Sequence, residues 1–324
     1  MRIFYNSKSA LGLLNSMSGY FYSDPQIKYL VNKNWMVEFL LDHNIPIKNI
    51  VFVNSFMDLK KIFGYSVILP IQRSKLDILA LRFLRRIQLK TFIHDLHFMS
   101  TNNLLKKEFV GKKIALKRYI YLIVIHSVDQ IFVNSNLVKR QVMILLKKES
   151  TLKSIKRVFV FNKNEYNEIK NVNKTIDYFI PLSDRDYKGF WVLDRIKFEK
   201  PDAKVLVDKK YFDRAEKLLR KKNPNIRLLM RDLSLDIALA KTYSSSTATL
   251  CLSRFEGFGF LPYEAGSFGS IPIVFDCSAY IEVPDEVFLK LKIGDNIGIP
   301  SVDHLSFPKG TKKYSNEHIV HIVN

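Results

Sequence analysis

The chain has 324 residues, of which 47% are hydrophobic, enough for two domains of about 150 residues with buried cores. It carries a formal net charge of +20, and its two cysteines, Cys251 and Cys277, exclude a disulfide framework and favour a reducing compartment. The longest apolar run, residues 119–126, is too short to cross a bilayer, and residues 1–5 are typical of a first strand rather than a signal peptide. We therefore expect a cytoplasmic protein, with peripheral attachment to the inner face of the membrane as an open alternative.

Strand-like and helix-like segments alternate through the first half of the chain. Short apolar runs predict buried strands over residues 51–55, 66–70, 89–94 and 130–134. Apolar residues at helical spacing predict helices over 28–43, 74–86, 104–126 and 135–148, with Ser135 as the N-cap of the last one. Such alternation is typical of a doubly wound, mainly parallel α/β sheet.

A polar, Asn- and Lys-rich segment over residues 162–176 predicts a linker between two domains, 1–172 and 173–324. The alternation then resumes. The predicted strands are 178–181, 203–207, 226–230, 248–252 and 272–275, and the predicted helices are 189–198, 213–221 and 235–243. Ligands of such sheets bind at the carboxyl ends of the strands.

The most informative segment holds Glu256 and Glu264, eight positions apart. Gly257 and Gly259 allow turn conformations that residues with a Cβ resist, and Pro262 suits the first turn of a helix. A turn that bares N–H groups at a helix N-terminus is suited to an anion such as a diphosphate. An isolated glutamate pair would be typical of an exposed turn, but the glycines, the proline and the flanking strands favour a binding site.

This segment resembles the Glu-x7-Glu motif of retaining, nucleotide-sugar-dependent glycosyltransferases of the GT-B fold, above all family 4. The resemblance extends upstream through residues 230–252 and downstream through residues 270–274. It implies two Rossmann-like, doubly wound domains that face a central cleft. Residues 1–172 would form the acceptor side and residues 173–324 the donor-binding domain, with the last residues able to pack back on the first domain.

The resemblance also implies roles for individual residues, with Glu256, His94 and Lys188 as the catalytic candidates. Glu264 would hold the ribose hydroxyls of the donor, whereas Glu256 would lie beside the donor sugar and steady positive charge at its anomeric carbon. Arg185 and Lys188 would stabilise the departing diphosphate. His94, at the end of a first-domain strand, would approach the sugar or the acceptor. The other expected donor-site residues are Gly257, Phe258, Gly259 and Phe260 near sugar and phosphate, and Met230, Arg231 and Asp232 near the base.

From the residues alone, other readings of these positions stay open. Arg185 and Lys188 also fit a charged turn, and His94 also fits a structural residue at a strand end. Asp184 and Asp186 match the spelling of an Asp-x-Asp metal motif, but their place after a second-domain strand fits a phosphate loop better. The sequence has no cluster with zinc-ligand spacing. The resemblance implies a nucleotide-sugar as donor substrate, and it leads us to expect no metal and no cofactor.

Positive charge is concentrated in the first half of the chain. Residues 1–172 contain 28 Lys and Arg against 11 Asp and Glu, whereas the remainder contains 23 against 20. Basic residues over 82–121 alternate with apolar and aromatic ones, which predicts docking on an anionic membrane or a lipid-linked acceptor, with a merely solvated basic surface as the alternative. Nucleic acid is disfavoured as a partner, because no known nucleic-acid-binding motif accompanies the charge.

The sequence therefore predicts a retaining glycosyltransferase that moves a sugar from a nucleotide diphosphate-sugar to a glycan or lipid-linked acceptor. Two alternatives of other classes remain open. One is an inactive sugar-nucleotide-binding or scaffold protein of the same fold. The other is a basic nucleic-acid-binding protein, motivated by the charge alone.

Overall fold

The structure is a computed structural model. The chain divides into two compact units, Met1–Val158 with His321–Asn324, and Phe159–Val320, while the finer boundary at residues 172 and 173 stays a prediction. Within the described residues, no helix is long and apolar enough to span a membrane. The described residues are 29–31, 50–52, 66–70, 88–93, 130–133, 135–146, 152–154, 169, 172–233, 236–257, 259 and 261–308.

The first unit contains a four-stranded parallel sheet in the order β3-β4-β5-β6 and a separate parallel pair, β1 with β2. Its single described helix, α1, is capped by Ser135, whose Oγ accepts from the N–H of Val138 at 3.2 Å, so the predicted N-cap is confirmed. The elements are β1 (Tyr29–Val31), β2 (Ile50–Phe52), β3 (Ser66–Pro70), β4 (Gln88–Ile93), β5 (Gln130–Val133), α1 (Asn136–Leu146) and β6 (Leu152–Ser154).

One prediction in this unit is wrong at its start. The spacing of apolar residues predicts a helix over 28–43, but residues 29–31 form β1, which pairs in parallel with β2. Three consecutive apolar residues fit either a helix face or a buried strand, and pairing with a distant segment decides between them. The predicted helices over 74–86 and 104–126 lie outside the described residues.

The second unit is built on a six-stranded parallel sheet in the order β10-β9-β7-β11-β12-β13. The chain builds outward from β7 to β10, returns to place β11 beside β7, and builds outward on the other side. A separate parallel pair joins β14 and β8. The strands are β7 (Ile176–Ile180), β8 (Ile196–Phe198), β9 (Lys204–Asp208), β10 (Arg227–Arg231), β11 (Ser246–Cys251), β12 (Ile271–Phe275), β13 (Leu289–Leu291) and β14 (Ile297–Ile299).

Three α-helices connect these strands: α2 (Phe212–Leu219), α3 (Asp236–Ser245) and α4 (Leu261–Ser267). The prediction of one helix over 189–198 is wrong, because Phe190–Arg195 is a 3-10 helix and Ile196–Phe198 is β8. Bulky and β-branched residues in this segment favour a strand where a partner is available, and β14 supplies it. The predicted linker also overlaps this unit, since Ile176 begins β7. Within the described stretch 172–308, further 3-10 helices are Asp186–Lys188, Lys209–Tyr211, Ser278–Glu282 and Val302–His304.

The core of the second unit lies on both faces of the central strands. In β7, Tyr178 and Ile180 pack on one face with residues of β8 and β12, whereas Phe179 packs on the other with Tyr243 and Phe268. All five residues of β12 are buried, as expected for an inner strand of a parallel sheet. The edge strand β10 is largely exposed. The best-buried part of this unit is therefore the β7-β11-β12 centre.

Asn223, which is 5% exposed, links α2 to β8. Its Oδ1 accepts from the N–H of Phe198 at 2.9 Å, and its Nδ2 donates to the carbonyl oxygens of Ile196 and Leu219 at 2.8 and 2.9 Å.

Asn223→Ala should lower the free energy of unfolding by about 2–4 kcal/mol, because buried main-chain groups lose their partners. Urea unfolding measures this; the exposed Asn296→Ala is the control and should change stability by less than about 0.5 kcal/mol. Equal stabilities of the two variants would contradict the assignment.

Candidate functional site

Three adjacent loops meet at one edge of the second sheet. Because β7, β11 and β12 are parallel neighbours, their carboxyl ends lie side by side. The loop after β7 leads to the 3-10 helix Asp186–Lys188, the loop after β11 leads to α4, and the loop after β12 leads to Ser278–Glu282. Strands β9 and β10 are added on one side of β7, and β11, β12 and β13 are added on its other side, so the order of the strands switches between β7 and β11. Open α/β sheets bind ligands at such a switch point, outside the carboxyl ends of the strands.

An ion pair joins the loops after β7 and β11. The Nζ of Lys188 donates a hydrogen bond to Oε1 of Glu256. Glu256 is only 9% exposed, and the Lys188 side chain is 22% exposed. A carboxylate that is largely removed from water needs a cation or hydrogen-bond donors, and Lys188 meets that need. The structure thus brings together two residues that the sequence predicted for one site.

The loop after β12 holds the main chain of Glu256. The N–H of Glu256 donates to Oγ of Ser278 at 2.8 Å, and the hydroxyl of Ser278 donates to the Glu256 carbonyl oxygen at 2.7 Å. Sequence reasoning missed Ser278. Its only local signal is a small hydroxyl residue just after a buried strand, which does not indicate a partner 22 positions earlier.

Arg185 is held by the buried Tyr187, another residue that the sequence did not single out. The Nη1 of Arg185 donates to the phenol oxygen of Tyr187 at 2.7 Å. The carbonyl oxygen of Tyr187 accepts from the N–H of Arg254 at 3.0 Å, which ties this loop to the loop after β11. Lys188 Nζ lies 5.7 Å from the centroid of the same ring. Tyr187 therefore supports both cations predicted to meet the diphosphate.

The two aspartates beside Arg185 anchor the loop after β7 to the segment that follows β9. Asp184 pairs with Lys210 at 2.9 Å, and Asp186 pairs with Arg214 at 2.5 Å. The hydrogen bond from Lys210 lowers the pKa of Asp184, and the same contact raises the pKa of Lys210. The two aspartates of the Asp-x-Asp sequence therefore form ion pairs with residues of another segment. Within the described part of the chain, no group of three His, Cys, Asp or Glu side chains is arranged as a metal site.

Glu264 lies in the first turn of α4, as predicted. The hydroxyl of Tyr243 donates to its Oε2 at 3.3 Å. Burial, followed by the charge of Glu264, raises the pKa of Tyr243 well above its ordinary value, so this phenol stays protonated and remains a donor. Burial also raises the pKa of Cys251, with smaller contributions from Glu256 and Glu264. Both carboxylates are therefore close to the end of β11.

Gly259 adopts a backbone conformation that its position requires. Its φ is +79°, and a Cβ there would overlap the ring of Tyr280, which is buried under the loop. The conformational role predicted for this glycine is present in the structure. The turn between β11 and α4 can therefore lie directly against the 3-10 helix that carries Ser278.

Gly257, also predicted for the site, directly follows Glu256 in the loop after β11, but its φ is not positive. The remaining predicted site residues lie apart from this centre or outside the described residues. Met230, Arg231 and Asp232 follow one another at the end of β10, which β9 and β7 separate from β11. Arg231 donates to Oγ1 of Thr242 in α3 at 2.9 Å, and Met230 is 57% exposed. His94, Phe258, Phe260 and the side chains of the basic segment 82–121 lie outside the described residues.

Comparison with known proteins shows the fold. No protein-family model and no curated protein matches the sequence. Among solved structures, HepE of Anabaena in complex with UDP-glucose is 14% identical, with a TM-score of 0.60 over 97% of this chain and 87% of that chain. Sucrose-phosphate synthase of Thermosynechococcus elongatus is 11% identical, with a TM-score of 0.56 over 96% of this chain and 83% of that chain.

Both neighbours have the GT-B fold. Together with the parallel sheets of the two units, this likeness confirms the predicted α/β GT-B fold. At such low identity the likeness establishes the fold alone.

Substitution of Gly259 tests the close approach of the turn to Tyr280. Gly259→Ala should lower the free energy of unfolding by about 2 kcal/mol or more, since the new methyl group overlaps a buried ring and the positive φ disfavours a Cβ. Gly298→Ala is the matched control, because a Cβ there meets no atom within 4 Å. Denaturant unfolding of both variants gives the comparison, and a Gly259→Ala protein as stable as the control would refute the packing argument.

Proposed function

We propose that this protein is a retaining glycosyltransferase, similar to family 4, that transfers a sugar from a nucleotide diphosphate-sugar to a glycan or lipid-linked acceptor. The observation that carries the proposal is the Lys188–Glu256 ion pair at the switch point of the donor-side sheet, with Glu264 in the adjoining helix. It is supported by the fold neighbour HepE, which is described in complex with UDP-glucose.

Lys188 would act on the diphosphate. Departure of a nucleoside diphosphate leaves negative charge on the terminal phosphate, and a fixed ammonium nearby stabilises that charge as it develops. Arg185 adds a planar set of donors that can contact two phosphate oxygens. Asp184 and Asp186, on either side of Arg185, pair with Lys210 and Arg214 and so link this loop to the segment that follows β9. The proposed chemistry needs no metal or cofactor, since these cations meet the charge of the leaving group.

Glu256 would act on the sugar. Its carboxylate is largely shielded from water, so its charge is felt strongly by a neighbouring anomeric carbon that becomes positive in the transition state. Its oxygens also accept hydrogen bonds from sugar hydroxyls. Lys188 holds this carboxylate beside the position of the diphosphate, so sugar and leaving group are addressed by one linked pair of residues.

Glu264 would bind the ribose of the donor. Tyr243 donates to one carboxylate oxygen, which fixes the orientation of the group. A carboxylate has further lone pairs, and two adjacent ribose hydroxyls can donate to them. The residues at the end of β10 would meet the base, and the basic part of residues 1–172 would meet the acceptor or an anionic membrane.

A ligand screen followed by a turnover assay tests the proposal. A panel of nucleotide diphosphate-sugars is added in a thermal-shift assay, where a ligand at 100 times its Kd stabilises the fold by about 2.7 kcal/mol. Release of nucleoside diphosphate is then measured with and without glycan or lipid-linked acceptors. Stabilisation with turnover supports the enzyme, and stabilisation without turnover indicates the inactive binding protein. Salt-sensitive binding to nucleic acid with no stabilisation would favour the basic nucleic-acid-binding protein.

Removing the carboxylate of Glu264 should weaken nucleotide binding. Glu264→Ala should raise the Kd of the nucleoside diphosphate about 10-fold or more, because charge-assisted hydrogen bonds to the ribose contribute about 1.5–3 kcal/mol each. Titration calorimetry on the folded variant measures this. Unchanged affinity would remove Glu264 from the ribose site.

Lys188→Ala should weaken binding of the nucleoside diphosphate and leave binding of the free nucleoside unchanged, because only the former carries the phosphates. Lys200→Ala is the matched control: Lys200 is 27% exposed and pairs with Asp177 near the amino end of β7, away from the carboxyl edge. Calorimetry with both ligands distinguishes the two sites. An equal loss of affinity for nucleoside and nucleoside diphosphate would argue against a phosphate role for Lys188.

Glu256→Gln should affect turnover more than nucleotide affinity. We expect kcat to fall by about 100-fold, as for loss of a group that stabilises transition-state charge. The Kd of the nucleoside diphosphate should not rise, because Lys188 no longer has a carboxylate competing with phosphate. Steady-state kinetics and calorimetry give the two values. Wild-type kcat in this variant would exclude Glu256 from the reaction.

A further inference from the structure

The turn after β12 reaches across to the loop that carries Glu256. The hydroxyl of Ser278 accepts from the Glu256 N–H at 2.8 Å and donates to the Glu256 carbonyl oxygen at 2.7 Å. One side chain therefore holds both polar groups of the Glu256 main chain. Cys277 of the same turn places its Sγ 3.5 Å from the Arg254 carbonyl oxygen.

Ser278 makes these contacts from an unusual backbone conformation. Its φ is +58°, and it is the one non-glycine residue with a positive φ among the residues that the structure describes. A residue with a Cβ is uncommon in this region, and such outliers persist where surrounding contacts over-determine them. The two hydrogen bonds to Glu256 are contacts of that kind.

We propose that Ser278 is a positioning residue for glycosyl transfer, which acts by fixing the main chain of Glu256. The inference rests on the proposed function. Lys188 holds the carboxylate of Glu256 and Ser278 holds its backbone, so the two ends of the residue are fixed by the loops on either side of its own. A group that stabilises a transition state must hold its place within a fraction of an ångström, and small displacements are costly to the rate.

Two variants and one control test this role. Ser278→Ala removes the hydroxyl. Ser278→Gly also removes it but accepts the positive φ without strain, so a defect shared by both reports the lost hydrogen bonds rather than the backbone. Ser270→Ala is the control: the Ser270 hydroxyl is fully buried and bonded to Oγ1 of Thr249 at 2.7 Å, at the opposite, amino end of β12.

Each protein is assayed with the nucleotide-sugar that gives the highest turnover in the panel above, with UDP-glucose as the first probe. Both Ser278 variants should show kcat lowered about 10-fold or more, with the Kd of the nucleoside diphosphate within about twofold of wild type. Ser270→Ala should keep wild-type kcat even where its thermal stability falls. This split between kcat and binding distinguishes positioning from a general loss of structure.

The outcomes separate this inference from the function on which it rests. Wild-type turnover with unchanged kcat in both Ser278 variants overturns the positioning role and leaves the proposed function intact. An equal loss of kcat in Ser270→Ala also overturns it, since destabilisation would then explain the effect. A wild-type protein that releases no nucleoside diphosphate from any member of the panel overturns both.

Discussion

A carboxylate that leaves water must be met by a cation or by hydrogen-bond donors, and in this protein that requirement falls on Glu256. Lys188 supplies the cation from the neighbouring loop. The pairing is possible because β11 returns to lie beside β7, which brings positions 68 residues apart to the same sheet edge. The order of the strands therefore brings Lys188 and Glu256 together, and the proposed chemistry depends on this ion pair.

The residues around this pair are held before any ligand binds. Asp184 and Asp186 tie the loop after β7 to the segment that follows β9, while Tyr187 supports Arg185. Tyr243 orients Glu264 from α3. Electrostatic stabilisation is most effective when the charged groups need not rearrange during the reaction, and a network of this kind limits rearrangement. The site is thus built from loops at the end of a well-buried sheet, with supporting contacts to its charged side chains.

Much of the fold could be predicted from local patterns. The buried parallel strands of an α/β sheet are short apolar runs, and between them lie segments whose apolar residues recur with the period of a helix. The strand at 66–70 and the helix that begins just before Glu264 are examples. The apolar residues at 29–31 and 196–198 fit a helix and a strand equally well, and the strand that pairs with each segment is distant in sequence, so local patterns predict the wrong element there. The sequence does not predict the supporting roles of three residues, Ser278, Tyr187 and Tyr243. A hydrogen bond from a side chain to a distant loop produces no periodicity or characteristic spacing in the sequence.

The central claim is that the Lys188–Glu256 pair marks the place where a nucleotide diphosphate-sugar reacts. A crystal structure of the protein with the nucleotide-sugar that stabilises it most tests this directly. The account predicts the diphosphate within hydrogen-bonding distance of Lys188 Nζ, the ribose hydroxyls on Glu264 and the sugar beside Glu256. A ligand bound away from the carboxyl ends of β7 and β11, with none of these three contacts, would contradict it.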